Sequence, residues 1–190
     1  MSDPAQPVVR PALPRDVPAI RDLVAPYAEH RILLAKELVG YFEAVQEFFV
    51  AEVPGEGVIG CGALHVMWSD LAEVRTLAVK HSWRGRRVGH LLLTRLLERA
   101  RELELRRVFC LTFEVDFFRA HGFEVIDQTP VDPEVFAELL RSHDDGVAEF
   151  LDLARVKENT LGNTRMLLTF DPPPPPDPPR PTSASRPTLR

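Results

Sequence analysis

The stretch with the clearest chemical meaning lies between residues 73 and 90: EVRTLAV at 73–79, KHSW at 80–83 and RGRRVGH at 84–90. The first part reads as a β-strand and the last part opens a helix. The first amides of a helix have no intrahelical carbonyl to bond, and the helix dipole places partial positive charge at the same end. A phosphate docks readily on such a terminus. Gly85 and Gly89 let the backbone approach a ligand closely, and Arg84, Arg86 and Arg87 surround it with positive charge. Residues Arg84, Gly85, Arg86, Arg87, Val88 and Gly89, with His90 behind them, therefore form a candidate site for a small phosphate-bearing ligand. An ordinary β–α turn with a basic surface has the same glycine spacing, so the loop alone does not decide the matter.

The elements that must hold this loop are legible as changes of period. Residues 8–12 read as a short edge strand. Helical spacing runs over 16–29, with Val17, Ile20, Val24 and Tyr27 on one stripe and Pro26 as an interruption. A second helix is expected over 35–46. Strands follow at 47–52 and 58–66, joined by the turn signal Pro54-Gly55-Glu56-Gly57. A third strand covers 70–79. A long amphipathic helix is expected over 85–103, a buried strand over 107–112, and a short helix over 115–121 ended by Gly122. A short strand at 124–126, a helix at 133–142 and a strand at 165–170 complete the order. This pattern predicts an α/β domain with a mixed sheet and flanking helices, assigned to residues 1–170.

The C-terminal stretch 171–190 holds half of the 18 prolines. Serial prolines favour an extended polyproline helix without internal hydrogen bonds. This segment is expected to be a disordered or semi-rigid tail, with a ligand for a proline-recognising domain as the alternative.

Bulk properties narrow the function. The chain has 190 residues, 45% of them hydrophobic and 27% charged, which suits one domain with a substantial core. A net charge of -5 argues against a general nucleic-acid binder, which needs clustered cations to displace counterions. Cys61 and Cys110 lie in separate apolar runs, without zinc spacing, and fit buried thiols in a reducing compartment. His30, His65, His90 and His121 show no ligand spacing, so no metal is expected. The first residues lack a signal-peptide core, and no run reaches the ~20 apolar residues of a membrane span. A cytoplasmic location without membrane association is the expectation.

Two motifs together carry a family resemblance. The segment 84–89 resembles motif A of the GNAT N-acetyltransferases, written [RQ]-x-x-G-x-[GA], with Arg84, Val88 and Gly89 in place and Arg87 where glycine is usual. Residues Phe117 to Phe123 resemble the short helix of that family that ends in "lGF". The resemblance extends over nearly all of residues 7–170. It implies the acyl-CoA acyltransferase fold, a mixed and mostly antiparallel sheet, and acetyl-CoA as acetyl donor. More narrowly, LAEVRTLAV at 71–79, RILLAK at 31–36 and GNTRM at 162–166 resemble the stand-alone amino-acid N-acetyltransferases of the N-acetylglutamate synthase type. That likeness implies acetylation of the α-amino group of free glutamate or glutamine, the first step of arginine biosynthesis. Many such relatives carry an added amino-acid-kinase-like domain, for which this chain has no room.

The resemblance also implies roles. An α-amino group, with a reference pKa of roughly 8, must lose a proton before attack. Glu73 stands where the family keeps its general base. A glutamate with a reference pKa of about 4.3 serves only if burial raises it or water relays the proton. An ion pair with Arg75, two residues on along the strand, is the plainer alternative. Backbone groups at Leu77, Ala78 and Val79 are expected to meet the pantetheine arm and polarise the thioester. Strand alternation puts Leu77 and Val79 on the same side as Glu73 unless a bulge intervenes. The family's tyrosine acid is absent, since Phe117 and Phe118 occupy that region. Thr112 is the nearest hydroxyl, and direct protonation of the thiolate by water is the alternative. A free amino acid needs a carboxylate clamp, for which Arg31, Lys36, Arg75, Asn163 and Thr164 are the candidates. Acetyl transfer to a peptide or drug amine, or a non-catalytic acetyl-CoA sensor, remains the competing reading. A homodimer is compatible with the family's exposed sheet edges.

Overall fold

The computed structural model describes residues 6–30, 32–33, 36–151 and 163–171. The expectations placed on Arg31, on Gly162 and on the proline-rich tail lie outside the described residues.

The apolar patterns fold into one seven-stranded sheet in the order β1-β2-β3-β4-β5-β7-β6. Its strands are β1 (Val8–Pro11), β2 (Phe48–Val53), β3 (Gly57–Val66), β4 (Leu71–Val79), β5 (Arg107–Thr112), β6 (Glu124–Val125) and β7 (Thr164–Thr169). Every neighbouring pair is antiparallel except β4 and β5. That parallel pair requires a crossover, which α3 (Val88–Glu102) supplies. The fold is therefore the mixed, mostly antiparallel sheet with flanking helices that the sequence predicts.

Helix α3 covers one face. Its Val88, Leu92, Leu93, Leu96, Leu97 and Ala100 are buried at helical spacing against Phe49, Ile59, Val74, Val108 and Cys110. Burying side chains of this size stabilises by about 1.5–3 kcal/mol each. The opposite face is covered by α1 (Val17–Glu29) and α2 (Leu38–Glu43), with Val17, Ile20, Val24 and Tyr41 on Phe48, Val50, Cys61 and Ala63. Two further helices, α5 (Pro133–Leu139) and α6 (Asp145–Phe150), close a third cluster in which the Phe150 ring meets Phe109 edge-on at 4.8 Å. The short α4 (Val115–Arg119) ends the loop after β5.

Several expectations are corrected. Helix α1 reaches Glu29 as expected, but it runs through Pro26 without the expected interruption. Helix α2 covers Leu38–Glu43 rather than 35–46, because Ala44 leaves the helical region and a 3-10 turn takes over at Val45–Glu47. Helix α3 starts at Val88 rather than at 85, because Arg87 is its N-cap, in the left-handed conformation. Helix α6, next to Asp144, falls between 142 and 165, where the sequence pattern predicted no element.

The β4 register changes the positioning of the site most. Pairing of β3 with β4 shifts between Cys61 and Ala63, and opposite that shift Thr76 has φ 58. A bulge adds one residue and reverses the alternation beyond it. Leu77 and Val79 consequently join the α3 side with Val74, whereas Ala78 joins Cys61 and Ala63 on the α1 side. The expected common face of Glu73, Leu77 and Val79 is thus overturned by the bulge.

No helix among the described residues is long and apolar enough to cross a membrane.

Candidate active site

The parallel strands β4 and β5 pair only over Leu71–Glu73 and Arg107–Phe109. Beyond that they part, and the gap between them becomes a cleft of about 480 Å³. Its walls include Leu77, Val79, Leu111 and Thr112, and its mouth is formed by Arg84, Gly85, Arg87, Val88, Gly89 and His90. The structure therefore brings nearly all of the anion-loop residues to one opening; Ala78 is buried in the core beneath α1, and Arg86 stacks on Trp83 at 4.8 Å.

The loop geometry explains how this opening is made. Gly85 has φ 73, and a Cβ built there would touch nothing within 4 Å, so the glycine serves backbone conformation and leaves open space above it. Arg87 has φ 62 and ψ 10, a region that costs an L-residue roughly 1–2 kcal/mol. Glycine is usual at this motif position for that reason, and the chain adopts the same turn with arginine. No backbone carbonyl among the described residues accepts from the amides of Arg87, Val88, Gly89 or His90. Four donors at the positive end of a 15-residue helix suit a pyrophosphate. The donor set, the open space over Gly85 and the cleft between the strands together fit a nucleotide head with a long, narrow arm.

Tyr27 is a wall residue that the sequence reading left on the core stripe of α1. Its hydroxyl donates to Val79 O at 2.9 Å and accepts from Val79 N–H at 3.3 Å, and the Arg84 guanidinium lies over its ring at 5.1 Å. The Val79 amide expected to meet a pantetheine arm is thus engaged by Tyr27. No spacing rule marks this contact, which joins residues 52 apart in sequence.

A second pocket opens beside the first, lined by Lys36, Glu73, Arg75, Gly146 and Asn163. Glu73 is 3% exposed, and its Oε2 has no hydrogen-bond partner among the described residues. Burial pushes the Glu73 carboxyl up, opposed by Arg75. Arg75 Nη1 lies 3.7 Å from Glu73 and 2.7 Å from Asp144, and Nη2 donates to Glu47 at 3.2 Å. Glu47 in turn meets His65 at 2.8 Å. Burial raises the Asp144 carboxyl, but its bond and charge pairing with Arg75 outweigh this and hold it at about 2. Burial, and then the neighbouring Arg75, push the Lys36 ammonium down.

The structure thus brings together Lys36, Glu73, Arg75 and Asn163. Arg75 forms a central cation held by three carboxylates rather than a free fork. Asn163 Oδ1 is buried without a hydrogen-bond partner among the described residues. Thr164 pairs with Thr112 across β7 and β5 and is not among the residues that line either pocket. Thr112 is 7% exposed, and its Oγ1 accepts from Glu114 N–H at 2.9 Å. Glu47, His65, Asp144 and Gly146 were missed. Their segments are distant in sequence, and only the fold makes them neighbours. Gly146 packs so tightly that a Cβ there would lie 2.7 Å from Glu73 Oε2 and 2.8 Å from Arg75 Nη1. Among the described residues, no group of three or more His, Cys, Asp or Glu side chains is placed to hold a metal ion.

Comparison with known proteins supports the same picture. Residues 17–123 match the model of the acetyltransferase (GNAT) family. An amino-acid acetyltransferase of Mycobacterium tuberculosis is 59% identical over 167 residues, which is 87% of this chain and 95% of the relative. An amino-acid acetyltransferase of Aeromonas salmonicida is 31% identical over 120 residues, 62% of this chain but only 27% of that longer relative. A Mycobacterium tuberculosis crystal structure in complex with CoA and NLQ superposes with TM-score 0.84 at 59% identity, covering 86% of this chain and 99% of the other. The N-acetylglutamate synthase of Neisseria gonorrhoeae, at 22% identity and TM-score 0.68, covers 88% of this chain and 36% of its own and shares the fold. With its cleft, its helix-terminal loop and these relatives, the chain belongs to the GNAT family and is an acetyl-CoA-dependent N-acetyltransferase.

Proposed function

We propose that this enzyme acetylates the α-amino group of a free amino acid, L-glutamate or L-glutamine, at the start of arginine biosynthesis. The observation that carries this reading is the second pocket. It is small, and it sets a buried carboxylate oxygen that accepts no hydrogen bond among the described residues beside cations and a buried amide oxygen. A peptide acceptor would need an open groove. The amino-acid acetyltransferase relative at 59% identity supports the same substrate class.

Acetyl-CoA supplies an activated thioester carbonyl, and the residues Arg84, Gly85, Arg87, Val88, Gly89 and His90 would hold its phosphates. Leu77 and Val79 wall the cleft for its arm. Glu73 takes the proton from the acceptor's ammonium. Its burial makes the carboxylate a stronger base than glutamate in water, and Oε2 accepts no hydrogen bond among the described residues. Arg75 and Asp144 position Glu73, with Arg75 keeping part of its negative charge tolerable in a dry site. Lys36 faces the acceptor pocket and meets its carboxylate, with Asn163 reading the acceptor's amino or amide hydrogens. Thr112 keeps its own hydroxyl proton available, because its oxygen is the acceptor in the bond from Glu114 N–H. It can pass that proton to the departing sulfur.

The experiment follows free thiol from acetyl-CoA with single amino acids and with peptides, in wild type and Glu73→Gln. Thiol release with glutamate or glutamine that is lost in the variant supports the proposal. Release with peptides alone overturns the substrate assignment, and release that survives Glu73→Gln overturns the base assignment.

A further inference from the structure

One side-chain cluster at the cleft enters the proposal above only through the place of His90 in the phosphate loop. His90, the third residue of α3, places Nδ1 2.8 Å from Nε2 of His121, which follows α4. The rings lie nearly parallel, 27° apart with centroids at 5.0 Å. Phe117 packs on both, at 4.9 Å from His90 and 5.5 Å from His121. His121 occupies the first position of the Leu-Gly-Phe-like element, where the family motif has an apolar residue. Both rings are only partly buried.

The N···N distance fixes the proton count. A hydrogen bond between two imidazole nitrogens needs one proton between them, donated by one ring and accepted by the other. The neutral pair satisfies this. So does the singly protonated pair, in which the added proton sits on an outward-facing nitrogen. A second added proton would put N–H against N–H and break the bond. The pair can therefore carry one positive charge, and only one, without losing its geometry. Burial, and then the neighbouring His90, push the His121 imidazole down from its ordinary range near ~6.5. The unliganded His121 ring is thereby biased toward its neutral form.

We propose that the His90–His121 pair is a cofactor-binding element that takes up a proton when the pyrophosphate of the cofactor settles on the adjacent loop. The amide of His90 is one of the unsatisfied donors at that terminus, and its side chain lines the same opening. A pyrophosphate there stabilises the cationic form of the pair through its charge. The other charged groups on the packed elements do not pre-empt this role. Asp116 and Arg119 on α4 pair with each other at 2.7 Å. Arg165, the sole charge on β7, donates to Thr129 and to the Phe150 carbonyl. Arg87 lies at the N-cap of α3 and Glu114 lines the cleft; neither is hydrogen-bonded to the pair. Because cofactor binding consumes a proton, affinity weakens as pH rises through the imidazole range. The slope approaches tenfold per pH unit where uptake is complete.

This inference rests on the reading of the loop as the pyrophosphate site. The probe is dephospho-CoA, which keeps the pyrophosphate and lacks the 3′-phosphate that would itself titrate near neutrality. Calorimetry at pH 7 in two buffers of different ionisation enthalpy gives the protons exchanged on binding. The expected result is an uptake of roughly half a proton or more in wild type, falling to near zero in His121→Gln and in His90→Asn. Failure of wild type to bind dephospho-CoA would overturn the loop reading. Binding without proton uptake would leave the loop reading standing and overturn the role of the pair. Uptake unchanged in both variants would also overturn it. The wild-type measurement stands even if a variant does not fold.

Discussion

The proposed donor cleft and the proposed acceptor pocket share strand β4 but are built by different means. The donor cleft is made of backbone: two strands that part after three paired positions, and amides at the start of α3. The residues of its loop, 84–90, are contiguous in sequence. The acceptor pocket is made of side chains from five separate segments, which meet around a buried Glu73 and an Arg75 held by Glu47, Glu73 and Asp144. A backbone site tolerates side-chain variation, as Arg87 in a glycine position shows. A buried charge network does not, because removing one member leaves another uncompensated. Changes in the donor region should therefore alter affinity gradually, whereas changes in the acceptor pocket should alter turnover sharply.

The largest effect expected is that of Glu73→Gln, with kcat/KM for the amino acid falling about 10²–10⁴-fold and acetyl-CoA affinity kept within about threefold. Steady-state kinetics with calorimetry measure both. A parallel loss of cofactor affinity would erase the proposed separation of the two regions. Next comes Gly146→Ala. Its Cβ would fall 2.7 Å from Glu73 Oε2, so the carboxylate or Arg75 must move, and kcat/KM should drop roughly 10–100-fold. Donor binding should again be unaffected.

Asp144→Asn should act on pH dependence. Asp144 contributes to raising the Glu73 carboxyl, and Arg75 opposes it. Removing the Asp144 charge should move the acidic limb of kcat/KM to lower pH, as read from a pH–rate profile. The same groups set opposite stability trends. Asp144, held at about 2, contributes stability that is present above its unfolded value of about 3.9 and lost as pH falls through the folded value. Glu73, held above its unfolded value of about 4.3, favours the folded state while protonated, and that contribution is lost as pH rises through its raised value. The smallest effect is in the donor loop. Arg87→Gly and Arg87→Ala remove the same charge, but only glycine relieves the φ of 62. The glycine variant should be more stable by about 1 kcal/mol in denaturant titrations. Equal stabilities would show that the loop relaxes without cost.

The same contrast explains what could be read from the residues alone. Strand and helix order was legible because α3 and β2 to β5 carry strong apolar periods. The donor loop was legible because its glycines and arginines lie within a few positions of one another. The bulge at Thr76 was not, since a threonine in a strand-like run carries no signal for φ 58. That single residue reversed the faces of Leu77 and Val79. The acceptor pocket was half legible. Glu73, Lys36, Arg75 and Asn163 stood out through likeness to a family. Glu47, His65, Asp144 and Gly146 did not, because their importance arises from pairing across the sheet and with α6. Arg75 was read as a clamp candidate with an ion pair to Glu73 as the alternative; the fold gives that pair and adds Glu47 and Asp144, which makes it a structural cation.

The most direct test of the account identifies the product. The enzyme is incubated with acetyl-CoA and an equimolar mixture of the twenty amino acids together with lysine-containing peptides, and acetylated species are identified by mass spectrometry. The account predicts Nα-acetylglutamine or Nα-acetylglutamate as the dominant product. Acetyl groups found chiefly on peptide N-termini or on lysine side chains would contradict it.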